Sequence, residues 1–180
     1  MTRLKILSRE EMNQEQGEVF DEAKAAGGPV GGPYWAYIRY PALMRQAQAT
    51  SNCLRDGPLS PRERQIAILT VIRHWSAAYP WAVQVRNSLK AGVDQEIVDA
   101  INARQTPALT DDREIAAHRV ARELLADHGL SEATYAAAAS AFDEKSLVTL
   151  IAQIGQFGMT CCTANAFDVT PPDDAPARLV

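Results

Sequence analysis

The stretch Leu59-Ser60-Pro61-Arg62-Glu63-Arg64-Gln65-Ile66-Ala67-Ile68-Leu69-Thr70-Val71-Ile72-Arg73-His74-Trp75 decides the fold class. Ser60 has the short oxygen-bearing side chain of an N-cap, and Pro61 follows in the first turn, where its missing N–H leaves no helical hydrogen bond unmade. Glu63, three residues after the cap, completes the capping-box pattern. The spacing predicts a helix from Pro61 to about Trp75.

Outward from this segment the signals remain helical. Ser8-Arg9-Glu10-Glu11 has capping-box spacing and predicts a polar helix ending before Gly27-Gly28-Pro29. Gly31-Gly32-Pro33 reads as an ordered loop, followed by a short helix from Tyr34 broken at Pro41 and another over Ala42 to Leu54. Downstream, a break over Ser76 to Pro80 precedes a helix carrying Trp81, Val85 and Leu89 and closed by Gly92. Asp94, Asp111, Ser131 and Asp143 are candidate caps for later helices. In the final helix Leu147, Ile151, Ile154, Gly158, Cys161 and Asn165 form one stripe at three- and four-residue intervals, the signature of core or subunit interface. With no alternating β-branched run or Asn-Gly hairpin turn, the fold class is all-α. The expected division is an N-terminal helical extension over 1–29, a main domain over 30–170 and an irregular Pro-rich tail over 171–180, with Pro171, Pro172 and Pro176.

At 180 residues, 47% of them hydrophobic, the chain can bury one sizeable core. A net charge of −4 and the lack of a Lys/Arg cluster along a helix face argue against nucleic-acid binding. Apolar stretches such as Ile66 to Ile72 fall short of the ~20 residues of a bilayer span, and the start lacks an apolar signal core. No membrane association is expected. Three cysteines, with Cys53 far from the adjacent Cys161 and Cys162, form no CxxC and suit a reducing, cytoplasmic setting without disulfides. Cys161 and Cys162 read as small buried hydrophobes. No metal site and no cofactor is expected.

Several polar residues sit where apolar ones would be ordinary. Gln65 shares a helix face with Leu69 and Ile72, and Gln84 shares one with Trp81 and Ser88. Two such glutamines can line a small polar cavity, offering amide donors and carbonyl acceptors without a titratable proton. The competing reading is that both merely satisfy buried backbone. His74, at a helix end, can act as general acid or base or can complement the helix dipole. His118 and His128 read as structural or solvated. Tyr34, Trp35, Tyr37 and Tyr40 cluster around Arg39, which would suit a planar carboxylate.

Taken in order, Leu59 to Leu69, Arg73-His74-Trp75, Tyr79-Pro80-Trp81-Ala82 and Ala91-Gly92-Val93 resemble the carboxymuconolactone decarboxylase family. Gly32-Pro33-Tyr34, Ser131 to Tyr135 and Asn165 to Val169 extend the resemblance over roughly residues 30 to 170. It implies an AhpD-like all-α fold, trimer-based homo-oligomers (trimer or hexamer) and an active site near the helices carrying the two glutamines. Members include cofactor-free decarboxylases of lactone acids and thiol peroxidases. The family commonly has Glu-Tyr-Glu-Trp followed by His three residues after the Trp, whereas this chain has Ala78-Tyr79-Pro80-Trp81 and then Gln84. Gln65 replaces a common Glu. The positions resembling the peroxidase CxxC are Ala77 and Pro80.

The resulting expectation is a cofactor-independent lyase, decarboxylase or isomerase acting on a small lactone, enol acid or oxygenated ring. Gln65 and Gln84 would polarise a carbonyl or enolate, His74 or Tyr79 would transfer a proton, and Tyr34, Arg39 and Trp81 would contact the substrate. The alternatives are a non-catalytic small-molecule binder or assembly subunit, and a thiol peroxidase using Cys161 or Cys162.

Overall fold

The computed structural model describes residues 2–173, 175 and 178–180; of the expected irregular tail, Asp174, Pro176 and Ala177 lie outside the described residues. The central helix is α4 (Pro61–Trp75), and it starts where its capping residues place it. The Glu63 N–H donates to Ser60 Oγ at 3.2 Å, while the Glu63 carboxylate accepts from the Ser60 N–H at 2.9 Å. From Gln65 to Ile72 every residue is buried, so this helix is enclosed on all sides instead of presenting one apolar stripe.

Around it pack α5 (Ala78–Lys90), α7 (Asp112–Asp127) and α9 (Glu144–Ala166), with α6 (Gln95–Asn102) and α8 (Glu132–Ala141) filling the periphery. Trp81, Val85, Val98, Val120 and Leu150 join Ile66, Leu69 and Ile72 in the main core. Two ion pairs clamp the start of α4 to the start of α7. Arg113 Nε donates to Glu63 at 2.7 Å and Arg62 Nε to Glu114 at 2.6 Å. No strand occurs among the described residues, and the class is all-α.

Before α4, α1 (Gln14–Ala25), α2 (Tyr34–Tyr37) and α3 (Pro41–Arg55) form a smaller cluster with Val19, Tyr34, Tyr37, Ile38 and Met44 at its centre. Some local expectations are corrected here. The Ser8 capping box closes only a 3-10 turn, Arg9–Glu11, and α1 begins at a second box formed by Asn13 and Gln16. Extended backbone at Met12 separates the two. The break after α4 is also shorter than expected. Ser76 turns the chain through the left-handed region (φ 48°), and α5 begins at Ala78, because Pro80 sits in a first turn where the N–H has no helical partner.

The α9 stripe is shifted: Leu147, Leu150, Gln153, Ile154, Cys161 and Ala164 are buried, whereas Ile151 and Asn165 are exposed. With 23 residues and a mean hydropathy of 1.3 over its best window, α9 has the length and composition of a membrane span. The expectation concerned unbroken apolar runs, and α9 is interrupted by Gln153, Gln156, Thr160 and Asn165. Its packing against α4, with Leu150 fully enclosed, is that of a core helix.

Candidate functional site

The turn from α4 into α5 places Tyr79 in the first turn of α5, beneath the loop 29–33. This loop lies close to Tyr79 because it is built from residues with little side chain. Gly32 has φ +62°, and a Cβ there would stand 2.1 Å from Tyr79 Cε1. Trp35 covers the other side of the phenol, with ring centroids 5.7 Å apart. Gly32→Ala should therefore displace the Tyr79 ring and cost about 1–3 kcal/mol through left-handed strain and overlap. Urea unfolding checks this, and an unchanged midpoint would contradict the close packing.

Tyr79 opens onto a cavity of about 320 Å³ bounded by Tyr34, Ser51, Gln84, Gln156, Phe157 and Thr160, with Pro29, Gly31, Pro33, Pro80 and Val83 at its margins. Its polar groups are hydroxyls and carboxamides. Asn87 Nδ2 donates to Gln84 Oε1 at 3.2 Å, which orients the amide and leaves the Gln84 NH₂ free to donate. Gln153 does the same to Gln156 Oε1, also at 3.2 Å. Burial pushes the Tyr79 phenol above its ordinary pKa, and burial does the same to Tyr34, partly offset by its hydrogen bond with Ser51. Both phenols are neutral at pH 7. Tyr79 Oη makes no hydrogen bond to any described residue. No Asp, Glu, His or Cys lines this cavity.

The seven residues singled out in the sequence are placed in different surroundings. Tyr34, Tyr79 and Gln84 share the cavity. Gln65 does not line it: its Oε1 accepts from Ser88 Oγ at 3.0 Å in the core, so the expected pair of cavity glutamines is corrected to one. Ser88 Oγ also lies 2.7 Å from the backbone carbonyl oxygen of Gln84, one helical turn before it. His74 lies in a separate cavity with Arg73, Arg104, His118 and Arg122, because a helix turns about 100° per residue and nine residues from Gln65 bring His74 to another side.

Arg39 is exposed and donates to the backbone oxygens of Trp35 and Lys5, pinning the N-terminal segment instead of facing the cavity. Trp81 is fully buried in the main core and its Nε1 has no hydrogen-bond partner among the described residues. Of the two adjacent cysteines, Cys161 is fully buried, its thiol pushed up to about 12 by burial, but Cys162 is exposed. The expectation that both are buried is corrected by the roughly 100° between neighbouring helical side chains. Of the two readings for His118, structural or solvated, its burial fits the first.

Sequence reading missed Ser51, Gln156, Phe157 and Thr160. A signal for part of this set exists in α9, where Gln153, Gln156 and Thr160 are spaced three and four apart and draw a polar line beside the apolar stripe.

Residues 41–123 match the carboxymuconolactone decarboxylase family. The matched segment contains Ser51, Tyr79 and Gln84, while Tyr34 and the α9 residues of the cavity lie outside it. The fold is AhpD-like. It superposes on an uncharacterized peroxidase-related protein with an alkylhydroperoxidase AhpD core from Ralstonia eutropha JMP134, with a TM-score of 0.77, 16% identity, and coverage of 96% of this chain and 93% of that one. An uncharacterized peroxidase-related protein from Silicibacter sp. TM1040 gives a TM-score of 0.78 at 18% identity, covering 99% and 96% of the two chains. A protein of unknown function from Agrobacterium tumefaciens, described as a putative antioxidant defence protein AhpD, gives 0.71 at 16% identity, covering 77% and 97%. Among curated proteins, none matches.

Proposed function

We propose that the protein is a cofactor-independent lyase or isomerase acting on a small lactone, enol acid or oxygenated ring at the Tyr79 cavity. The observation that carries this reading is that the neutral phenol of Tyr79, with no hydrogen-bond partner among the described residues, lines the same cavity as the oriented amide of Gln84. Preorganised donors of this kind stabilise negative charge as it develops on an oxygen. For a decarboxylation, the bond from carbon to the departing carboxylate breaks and its electron pair moves onto the conjugated carbonyl oxygen. CO₂ leaves, Tyr79 and Gln84 donate hydrogen bonds to the enolate oxygen, and water returns a proton to carbon. Tyr79 is a donor here and not a base, since its raised pKa keeps the proton in place. Gln65 and His74 take no part in this scheme.

The lack of an ionised group among the cavity-lining residues favours a second reading, a binder of the same compounds that turns nothing over. A thiol route has no sulfur in the cavity: Cys161 is enclosed in the core, and Cys53 and Cys162 lie on the surface. The exposed apolar side chains Val148, Ile151 and Met159 on α9 support a homo-oligomer, for which we propose the trimer-based arrangement.

The test is a thermal-shift screen against lactones, enol acids and aromatic carboxylates. A ligand at ~100 times its Kd stabilises the native state by about 2.7 kcal/mol. The expected hit raises the melting temperature of the natural protein, loses most of that effect in Gln84→Ala, and is consumed on incubation. A hit that is bound but never consumed supports the binder. A hit unaffected by Gln84→Ala removes the cavity from either reading.

A further inference from the structure

On the opposite side of α4, its last turn, the segment after α6 and the middle of α7 enclose a cavity of about 230 Å³. Arg73, Arg104 and Arg122 line it together with His74 and His118, and no Asp or Glu does. Two of the guanidiniums converge on one oxygen: Arg73 Nη1 and Arg104 Nη2 donate to Ser76 Oγ at 3.0 and 3.2 Å. Both Ser76 and Arg104 hold left-handed backbone, at φ 48° and 58°, conformations that non-glycine residues keep only when surrounding structure enforces them. His118 is 92% buried, since its relative exposure is 8%, and its imidazole makes no hydrogen bond among the described residues.

Arg73 is already committed, its Nε and Nη2 donating to the backbone oxygens of Asn102 and Val180 at 2.6 Å, whereas Arg104 and Arg122 are exposed and no acidic side chain lines the cavity beside them. Burial, together with the charge of Arg122, lowers the His118 pKa to about 4, so the ring is neutral at pH 7 with one N–H to donate. Guanidiniums match the planar or tetrahedral oxygens of a carboxylate or phosphate and bind them in bidentate fashion. Ile101, Leu125 and Ala126 supply an apolar wall against which a short carbon body can rest.

We propose that this cavity is a binding site for a small organic oxyanion, a carboxylate or a phosphate ester, held by Arg104 and Arg122 with His118 at its base. It is separate from the Tyr79 cavity, with which it shares no lining residue.

The experiment is an NMR and calorimetric titration with inorganic phosphate and, separately, glutarate, both at a constant ionic strength of about 0.15 M so that general screening does not change. Saturable movement of the His118 ring signals in the natural protein is expected with at least one of them. Response to glutarate alone assigns a carboxylate ligand, and response to phosphate alone assigns a phosphate ester. Arg104→Gln and Arg122→Gln should each weaken binding at least tenfold, about 1.4 kcal/mol, while Gln84→Ala leaves it unchanged. Failure of both anions to move His118, or equal affinity in the two arginine variants and the natural protein, overturns the proposal. The His118 signals need no substitution, so the test survives a variant that does not fold.

Discussion

Tyr79→Phe is expected to lower kcat for the hit compound by about 10²–10³ while changing its Kd only a few-fold, the loss typical of removing one donor from a developing oxyanion. The substitution deletes a single oxygen and keeps the ring that packs under Gly32 and against Trp35. Fold and cavity shape are therefore preserved, and the unfolding midpoint should stay close to that of the natural protein. Because Tyr79 Oη has no hydrogen-bond partner among the described residues to leave behind, the effect on turnover reports its action on the ligand. A kcat within threefold of the natural value would remove Tyr79 from the chemistry.

Arg113→Met should produce the largest loss of stability, about 3 kcal/mol. The guanidinium makes two hydrogen bonds to the Glu63 carboxylate, at 2.7 and 3.3 Å, a third to the Ala141 carbonyl at 3.2 Å, and lies 4.4 Å from the centre of the Phe142 ring. Glu63 has only 8% of its side chain exposed, so removal of Arg113 leaves a buried negative charge whose sole remaining contact is the Ser60 cap. Breaking such a pair costs more than the pair contributes over an apolar substitute, because the orphaned ion stays desolvated. Arg113→Lys retains the charge without the two-pronged geometry and should fall between the two. Urea unfolding at pH 7 measures the difference, and a loss below about 1 kcal/mol would mean that the cap alone satisfies Glu63.

Several helix starts were legible in the sequence because a local cap sets them, although the expected cap Asp94 makes no side-chain cap hydrogen bond. Ser60, Asp111, Ser131 and Asp143 all accept hydrogen bonds from their own first turns. The site was legible only in part. Tyr79 and Gln84 sit on one short helix but five residues apart, about 140° around its axis, so spacing alone does not pair them, and Ser51 and Gln156 reach the cavity from helices far away in the chain. Which helix faces which is fixed by packing around α4, information that periodicity along one segment does not carry. The same limit misplaced Gln65: spacing put it on an inward face, yet only the position of Ser88 on α5 shows that its carbonyl is already satisfied. His118 was hidden for a related reason. Its arginine neighbours in sequence left a structural and a solvated reading open, whereas the structure buries it and brings Arg104 to the same cavity.

The most direct test of the central claim, that the Tyr79 cavity is where the protein holds its small molecule, is a crystal structure with the strongest thermal-shift hit. The predicted result is ligand density between Tyr79 and the Gln84 amide, with a ligand oxygen within hydrogen-bond distance of both. Density in the arginine-lined cavity on the other side of α4, with the Tyr79 cavity holding only solvent, would contradict it.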